Sequence, residues 1–240
     1  MFEMVRVVHA VPDADPTLWA TTVDTLTSVS ESSRATRTLI APTLPGTING
    51  GDLILRLRFM DESAAHMTAR TLHDIASASS VVELMHGADY RSTDSQPSST
   101  NGRRRLATVY RALLVRVSPD ADPAHLRRFE HDTLSMPNYI SSIVRWRLSP
   151  VSEAFGPTEW THVWEQEFTD VDGLLGEYMD HPVHWGIVDR WFDPECPEMI
   201  IRDRVCHTFC GIDTPLLDSA TTTDWHTSLA EPCQSVVRQG

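Results

Sequence analysis

The chain has 240 residues, 41% of them hydrophobic, which is enough for one large core or two small ones. Its net charge of −13 gives no electrostatic case for binding nucleic acid, and the single basic run, Arg103-Arg104-Arg105, does not outweigh it. All 20 basic residues are arginine, which excludes a lysine Schiff base, a lysine-anchored pyridoxal phosphate and a Walker-A loop.

A β-branched run over Met4–Val11 predicts an opening strand. The turn Val11-Pro12-Asp13-Ala14-Asp15-Pro16 follows, with Asp15 placed to cap a helix that has proline at its first position. Strands are predicted around Arg34–Ile40 and over Asp52–Phe59, then a helix, then a weak last strand at Val81–Met85. In the third strand Leu53, Leu55, Leu57 and Phe59 alternate with Ile54, Arg56 and Arg58, a period-two pattern with an ordinary apolar face. Ala69, Leu72 and Ile75 in the next helix read as plain core. The polar stretch from Arg91 to Gly102 lacks apolar periodicity and reads as a flexible linker.

Beyond it the plan repeats. Ser118-Pro119-Asp120-Ala121-Asp122-Pro123 restates the first turn at an offset of 107, Asp132-Thr133-Leu134 restates Asp24-Thr25-Leu26 at 108, and Phe168 restates Phe59 at 109. Strands are predicted at Val109–Val117, Ile143–Leu148, Thr161–Phe168 and Glu198–Phe209, with Asp122 capping the first helix of this half. The expected division is a degenerate N-terminal unit (1–90), a linker (91–105), a C-terminal unit with the pocket (106–212) and a tail (213–240). The order β-α-β-β-α-β in each unit is ferredoxin-like. The fold class is α+β, two tandem units pairing their uncovered sheet faces within one chain as a barrel.

The units diverge where chemistry is possible. At the places of the leucines in the first third strand, the second has His162, Trp164, Gln166 and Phe168. Burying polar groups costs free energy unless they are paired or bind something, so this face predicts a pocket. The stretch 178–192 adds Tyr178, His181, His184, Trp185 and Trp191. Two imidazoles and a phenol near one another suit proton transfer near neutral pH, and the indoles suit a flat organic ligand. The expected catalytic set is His184, Tyr178 and His181; the expected substrate-binding set is His162, Trp164, Gln166, Trp185, Trp191, Arg111, Arg145 and His207. Arg111 or Arg145 would stabilise phenolate or peroxide charge. Arg145 and Arg147 share one strand face, read as exposed, and alternation does not settle which way His207 points. Cys206-His207-Thr208-Phe209-Cys210 has no zinc spacing, even with His184, Cys196 or His226 as further ligands, so no metal is expected and the thiols read as buried. The N-terminus does not read as a signal peptide and no apolar run would span a bilayer, so a cytoplasmic protein without membrane contact is expected.

Thr161-His162-Val163-Trp164, followed by Tyr178-Met179-Asp180-His181-Pro182-Val183-His184, resembles the stress-responsive dimeric α+β barrel family, over about 108–210 and more weakly over about 4–90. That resemblance implies a barrel fold. By likeness to the family's polyketide cyclases, it implies catalytic roles for Tyr178 and His184 and a strand histidine at His162. Arg111 stands where those cyclases have a histidine, which puts identical chemistry in doubt. The tandem arrangement, His184-Trp185, Trp191-Phe192-Asp193-Pro194 and the Cys206–Cys210 segment are similar to the angucycline B-ring-opening oxygenases of aromatic polyketide pathways.

An electron-rich hydroquinone becomes reactive toward dioxygen once a phenolic proton is removed; a base, an aromatic cradle and a dry cavity are the protein's part. The expected function is therefore an oxidoreductase: an oxygenase that cleaves a carbon–carbon bond of a reduced polycyclic aromatic substrate. Dioxygen is the co-substrate and no cofactor is tightly bound. Reduced flavin or NAD(P)H would act only through a separate flavin reductase that supplies reduced substrate. That reductase and a second copy of the chain, as a homodimer, are the protein partners left open. A cyclase using His184 without oxygen, and a non-catalytic ligand-binding barrel, are the alternatives.

Overall fold

The computed structural model describes residues 1–92 and 106–217. Most of the expected linker and tail, and His226, lie outside the described residues.

The first unit runs β1 (Phe2–Ala10), α1 (Pro16–Ser32), β2 (Arg37–Pro42), β3 (Leu53–Phe59), α2 (Glu62–Ala78) and β4 (Val82–Arg91). The second runs β5 (Val109–Val117), α3 (Pro123–Ser135), β6 (Ile143–Phe155), β7 (His162–Phe168), a helix α4 over 171–180, a helix α5 over 182–191, and β8 (Ile201–Gly211). The repeated turn does the same work twice. Asp15 accepts from the Thr17 and Leu18 N–H groups at 2.9 and 3.0 Å, and Asp122 accepts from Ala124 N–H at 2.6 Å. Strand β4 is twice as long as its sequence suggested, because it pairs with β1 over its whole length and needs no apolar alternation of its own.

The strands form one antiparallel sheet in the order β2-β3-β1-β4-β6-β7-β5-β8. The two units meet where β4 pairs with the far half of β6, Gly87 opposite Phe155 and Tyr90 opposite Val151. The other seam is closed by the β2–β3 loop lying on β8: Leu44 N–H donates to the Phe209 carbonyl at 2.9 Å, and Ile48 and His207 exchange both backbone bonds. The sheet thus curls into a barrel inside one chain, with the β2–β3 loop bridging its two end strands.

Closure makes three layers. α1 and α2 cover one outer face over a core of Met4, Leu26, Leu55, Leu57, Phe59 and Leu72. α3, α4 and α5 cover the other over Leu113, Phe129, Ile143, Trp146, Phe168 and Trp191. Between them lies the barrel interior, with Val5, Ile54, Tyr110, Leu114, Val163, Cys206 and Cys210. That interior also holds charges. Arg56, completely buried, lies 2.8 Å from Glu3 and 3.1 Å from Glu165; Arg58 and Arg147 reach Glu3 at 2.8 and 3.0 Å. Arg145 lies 2.8 Å from Glu167, whose other oxygen accepts from the Leu216 and Leu217 N–H groups. The expectation that Arg145 and Arg147 are exposed is therefore corrected: barrel closure turns their strand face inward, and carboxylates on β1 and β7 neutralise them. Among the described residues no helix is long and apolar enough to cross a membrane.

Candidate active site

The helix-facing side of β5, β7 and β8 and the helices above it enclose a cavity of about 220 Å³. Its floor is Arg111, Leu113 and Val115 from β5, Trp164 from β7, and Val205 and His207 from β8; its roof is Phe129, Thr133 and Met136 from the α3 region with Tyr178, Met179, His184, Val188, Asp189 and Phe192. The equivalent space in the first unit is filled by Leu55, Leu57 and Leu72, so the leucine-for-polar exchange on the third strand separates a dry core from a pocket.

The two roof helices are locally widened. α4 takes π geometry over Gly173–Tyr178, and α5 does so over His184–Val188 before tightening at Asp189–Trp191. Such wide turns occur often at functional sites. In α5 the widening brings residues five apart together, and His184 Nδ1 lies 3.5 Å from the Asp189 carboxylate. Tyr178 packs edge-on to His184, ring centres 4.8 Å apart. Its hydroxyl accepts from Arg111 Nη1 at 3.0 Å, which leaves the phenol hydrogen available apart from a long 3.9 Å contact to Met136 Sδ. The same Arg111 nitrogen donates to Gln166 Oε1, and the guanidinium lies over the Tyr178 ring. Gln166 thus orients Arg111, and Arg111 orients Tyr178.

Burial holds the His184 imidazolium below its ordinary pKa of 6.5; Asp189 pulls upward and Arg111 adds to the lowering. Asp189 is itself raised by burial, against the pull of His184. Both shifts favour the neutral forms. His207 is pushed down to about 2 by burial, with Arg111 and His184 acting in the same direction. Four buried polar atoms on lining residues have no hydrogen-bond partner: Arg111 Nε, Thr133 Oγ1, Trp164 Nε1 and His207 Nε2. Each could pair with a polar atom of a ligand.

The cavity therefore gathers His184, Tyr178, Trp164, Arg111 and His207 from the expected set, and Gln166 stands directly behind. The rest are placed elsewhere. His181 Nδ1 accepts from Val183 N–H at 3.1 Å and caps α5; proline at 182 breaks the helix there and turns this ring away. Trp185 is 60% exposed and its indole donates to the Asp180 carbonyl, on the outer side of α5. Trp191 is fully buried but packs behind Phe129 and donates to Asp132, supporting the wall without forming it. His162 faces the same side as Trp164, yet it lies edge-on to Phe129 and 3.5 Å from Glu130, with Phe129 between it and the cavity. Arg145 points into the barrel, away from the site. Cys206 and Cys210 also face the barrel, burial pushing both thiols up to about 12, while His207 between them faces the cavity, so this segment does not converge on one point. Asp189 joins the site through a five-residue spacing, which carries no signal in a 3.6-residue period. No sequence signal singles out Phe129, Thr133 and Met136 of the α3 region, which also line the cavity.

Residues 109–206 match the Stress responsive A/B Barrel Domain family. The matched segment holds every cavity residue named above except His207. No curated protein matches the sequence. Among solved structures, an anthrone oxidase-like protein superposes with a TM-score of 0.61 at 7% identity, covering 88% of this chain and 90% of that one. A candidate monooxygenase from Fusobacterium nucleatum subsp. nucleatum gives 0.52 at 10% identity, covering 86% and 90%. A chlorite dismutase from Candidatus Nitrospira defluvii gives 0.51 at 9% identity, covering 87% and 90%. At these identities the likeness is one of fold, and it extends over both units.

Proposed function

We propose that the protein is an oxygenase that uses dioxygen on a reduced, phenolic polycyclic aromatic substrate, with ring opening of an angucycline-type hydroquinone as the specific reaction. The observation that carries the reading is the packing of His184 against Tyr178, whose hydroxyl is held by Arg111, in one small cavity. His184 takes the phenolic proton. A phenol near pKa 10 facing an imidazole below 6.5 is mismatched by roughly 4 units, or about 5 kcal/mol. A cation about 4 Å from the developing phenolate offsets about 4 kcal/mol at an effective dielectric near 20. Arg111 is that cation, and the Tyr178 hydroxyl donates the hydrogen bond that accompanies it. The phenolate passes one electron to dioxygen, the two radicals join at a ring carbon, and the peroxide takes back the proton held by His184. Substrate plus O₂ gives a hydroperoxide, with nothing else consumed. Migration of the neighbouring ring carbon onto the inner peroxide oxygen, with the outer oxygen leaving as hydroxide, breaks the carbon–carbon bond; hydroxide then adds to the oxocarbenium carbon left behind, and collapse of that hemiketal to a carbonyl and a hydroxyl opens the ring.

The reaction as written balances without a bound cofactor. A separate flavin reductase would deliver the hydroquinone form when the substrate arrives as a quinone. The anthrone oxidase-like neighbour has a name that fits oxygen chemistry on a fused aromatic ketone, which supports the class of substrate. The test is incubation with a reduced angucyclinone under labelled dioxygen, followed by mass spectrometry, with and without chelator. Label in a ring-opened product, undiminished by chelation, is expected. Turnover without oxygen uptake would replace this reading with a cyclase using the same His184 and Tyr178.

A further inference from the structure

The N-terminal unit packs leucines where the second unit has the polar residues of the site, yet it supplies one of the site's walls. Ile48, from the β2–β3 loop, lines the cavity and is 56% exposed; Met179 on α4 also lines it and is 41% exposed. The position of Ile48 is built, not incidental. Its N–H donates to the His207 carbonyl at 2.9 Å and its carbonyl accepts from His207 N–H at 2.8 Å. Asn49 Nδ2 donates to the Val205 carbonyl, and Thr208 Oγ1 donates to the Gly50 carbonyl, each at 2.9 Å. The loop sequence Asn49-Gly50-Gly51 serves this approach: a Cβ at Gly50 would stand 2.7 Å from the His207 carbonyl oxygen, and Gly51 has φ +64°. The cavity itself, at about 220 Å³, is below the usual size for a drug-sized ligand. A fused polycycle with its reacting ring inside must leave its far rings at the mouth.

We propose that Ile48 is a specificity-determining residue: the N-terminal unit presents it at the cavity mouth, where with Met179 it grips the outer rings of the substrate and so selects for fused ring systems. This rests on the aromatic-substrate reading above and extends it from the reacting ring to the rest of the molecule. The experiment measures dissociation constants of phenol, 1-naphthol and 9-phenanthrol by calorimetry under argon, so that binding is read without turnover. In the unaltered protein affinity should climb through the series. Ile48→Ala should narrow the 9-phenanthrol to phenol affinity ratio about ten-fold, the scale of a small change in apolar packing. Met179→Ala should narrow it in the same sense. Met67→Ala, an equally exposed residue on α2 far from the cavity, should leave the ratio as it was. An unchanged ratio in Ile48→Ala, with oxygen uptake on a hydroquinone observed separately, overturns this inference alone. A narrowed ratio with no oxygen uptake removes the oxygenase reading alone. Failure of all three phenols to bind removes both.

Discussion

At the scale of single residues, His184 and Asp189 decide the pH behaviour of the site. A base works in its neutral form, so kcat/KM should rise with pH through the His184 pKa and level off above it. Burial, the largest influence, sets that limb below pH 6.5, and the Asp189 carboxylate partly opposes it. Removing the negative charge in Asp189→Asn removes an influence that raises the pKa. The limb should therefore move to still lower pH while the plateau falls. A pH–rate profile checks this, and a limb that stays in place or moves upward would show that Asp189 does not act on His184. His184→Ala should lower turnover by roughly two to four orders of magnitude, the usual worth of general-base catalysis, in a protein that keeps its circular dichroism spectrum. Trp185→Ala should change turnover by less than about two-fold, because a surface substitution with the indole turned outward disturbs little.

At the scale of elements, the third strands test the asymmetry between the units. Leu55 is fully buried over α1 and α2, and Leu55→Ala should cost about 2–5 kcal/mol in denaturant unfolding with activity per folded molecule retained. The sequence showed this difference because the two strands share one alternation, and a run of leucines answered by histidine, indole and amide is visible in any strand register. The duplicated plan was legible for a similar reason: aspartate caps and helix-opening prolines act locally and leave the same signature twice. Three features were not legible. The wide turns of α4 and α5 depart from the period on which helix reading depends, so the pairing of Asp189 with His184 could not be read from spacing. The break at His181-Pro182 gave one histidine a capping role and the other a place in the cavity wall. The arginines of β6 alternate as surface residues do, and only closure of the barrel places them inside. Gly176 and Gly186 show how little the wide helices are constrained, since a Cβ at either meets nothing within 4 Å. Gly176→Ala and Gly186→Ala should each stabilise the fold by roughly 0.5–1 kcal/mol, read as a rise in thermal midpoint.

At the scale of the whole molecule, the charges inside the barrel join the units into one cooperative body. Glu3 of the first unit meets Arg147 of the second, and Arg56 of the first meets Glu165 of the second. Burial alone would raise the Glu165 pKa, but Arg56, Arg147 and the Tyr110 hydroxyl outweigh it and hold it below the ordinary 4.5. A carboxylate depressed in the folded state contributes stability that is complete above its unfolded pKa and is lost as pH falls through its folded value. The Glu165 contribution is lost below about pH 4.5, while buried neutral histidines such as His207, held down to about 2, begin to cost stability as pH falls below their ordinary 6.5; acid should unfold both units together. Arg56→Met leaves two buried carboxylates short of their shared cation and should cost roughly 3–5 kcal/mol, the usual penalty for breaking a buried pair from one side. Hydrogen exchange followed by mass spectrometry distinguishes this from a local effect. The amides of β3 and β7 should lose protection in one step as pH falls, and in Arg56→Met that step should move to higher pH for both strands equally. If β3 opens in Arg56→Met while β7 keeps its protection, the units are independent, and the buried network stabilises only the half in which each charge resides.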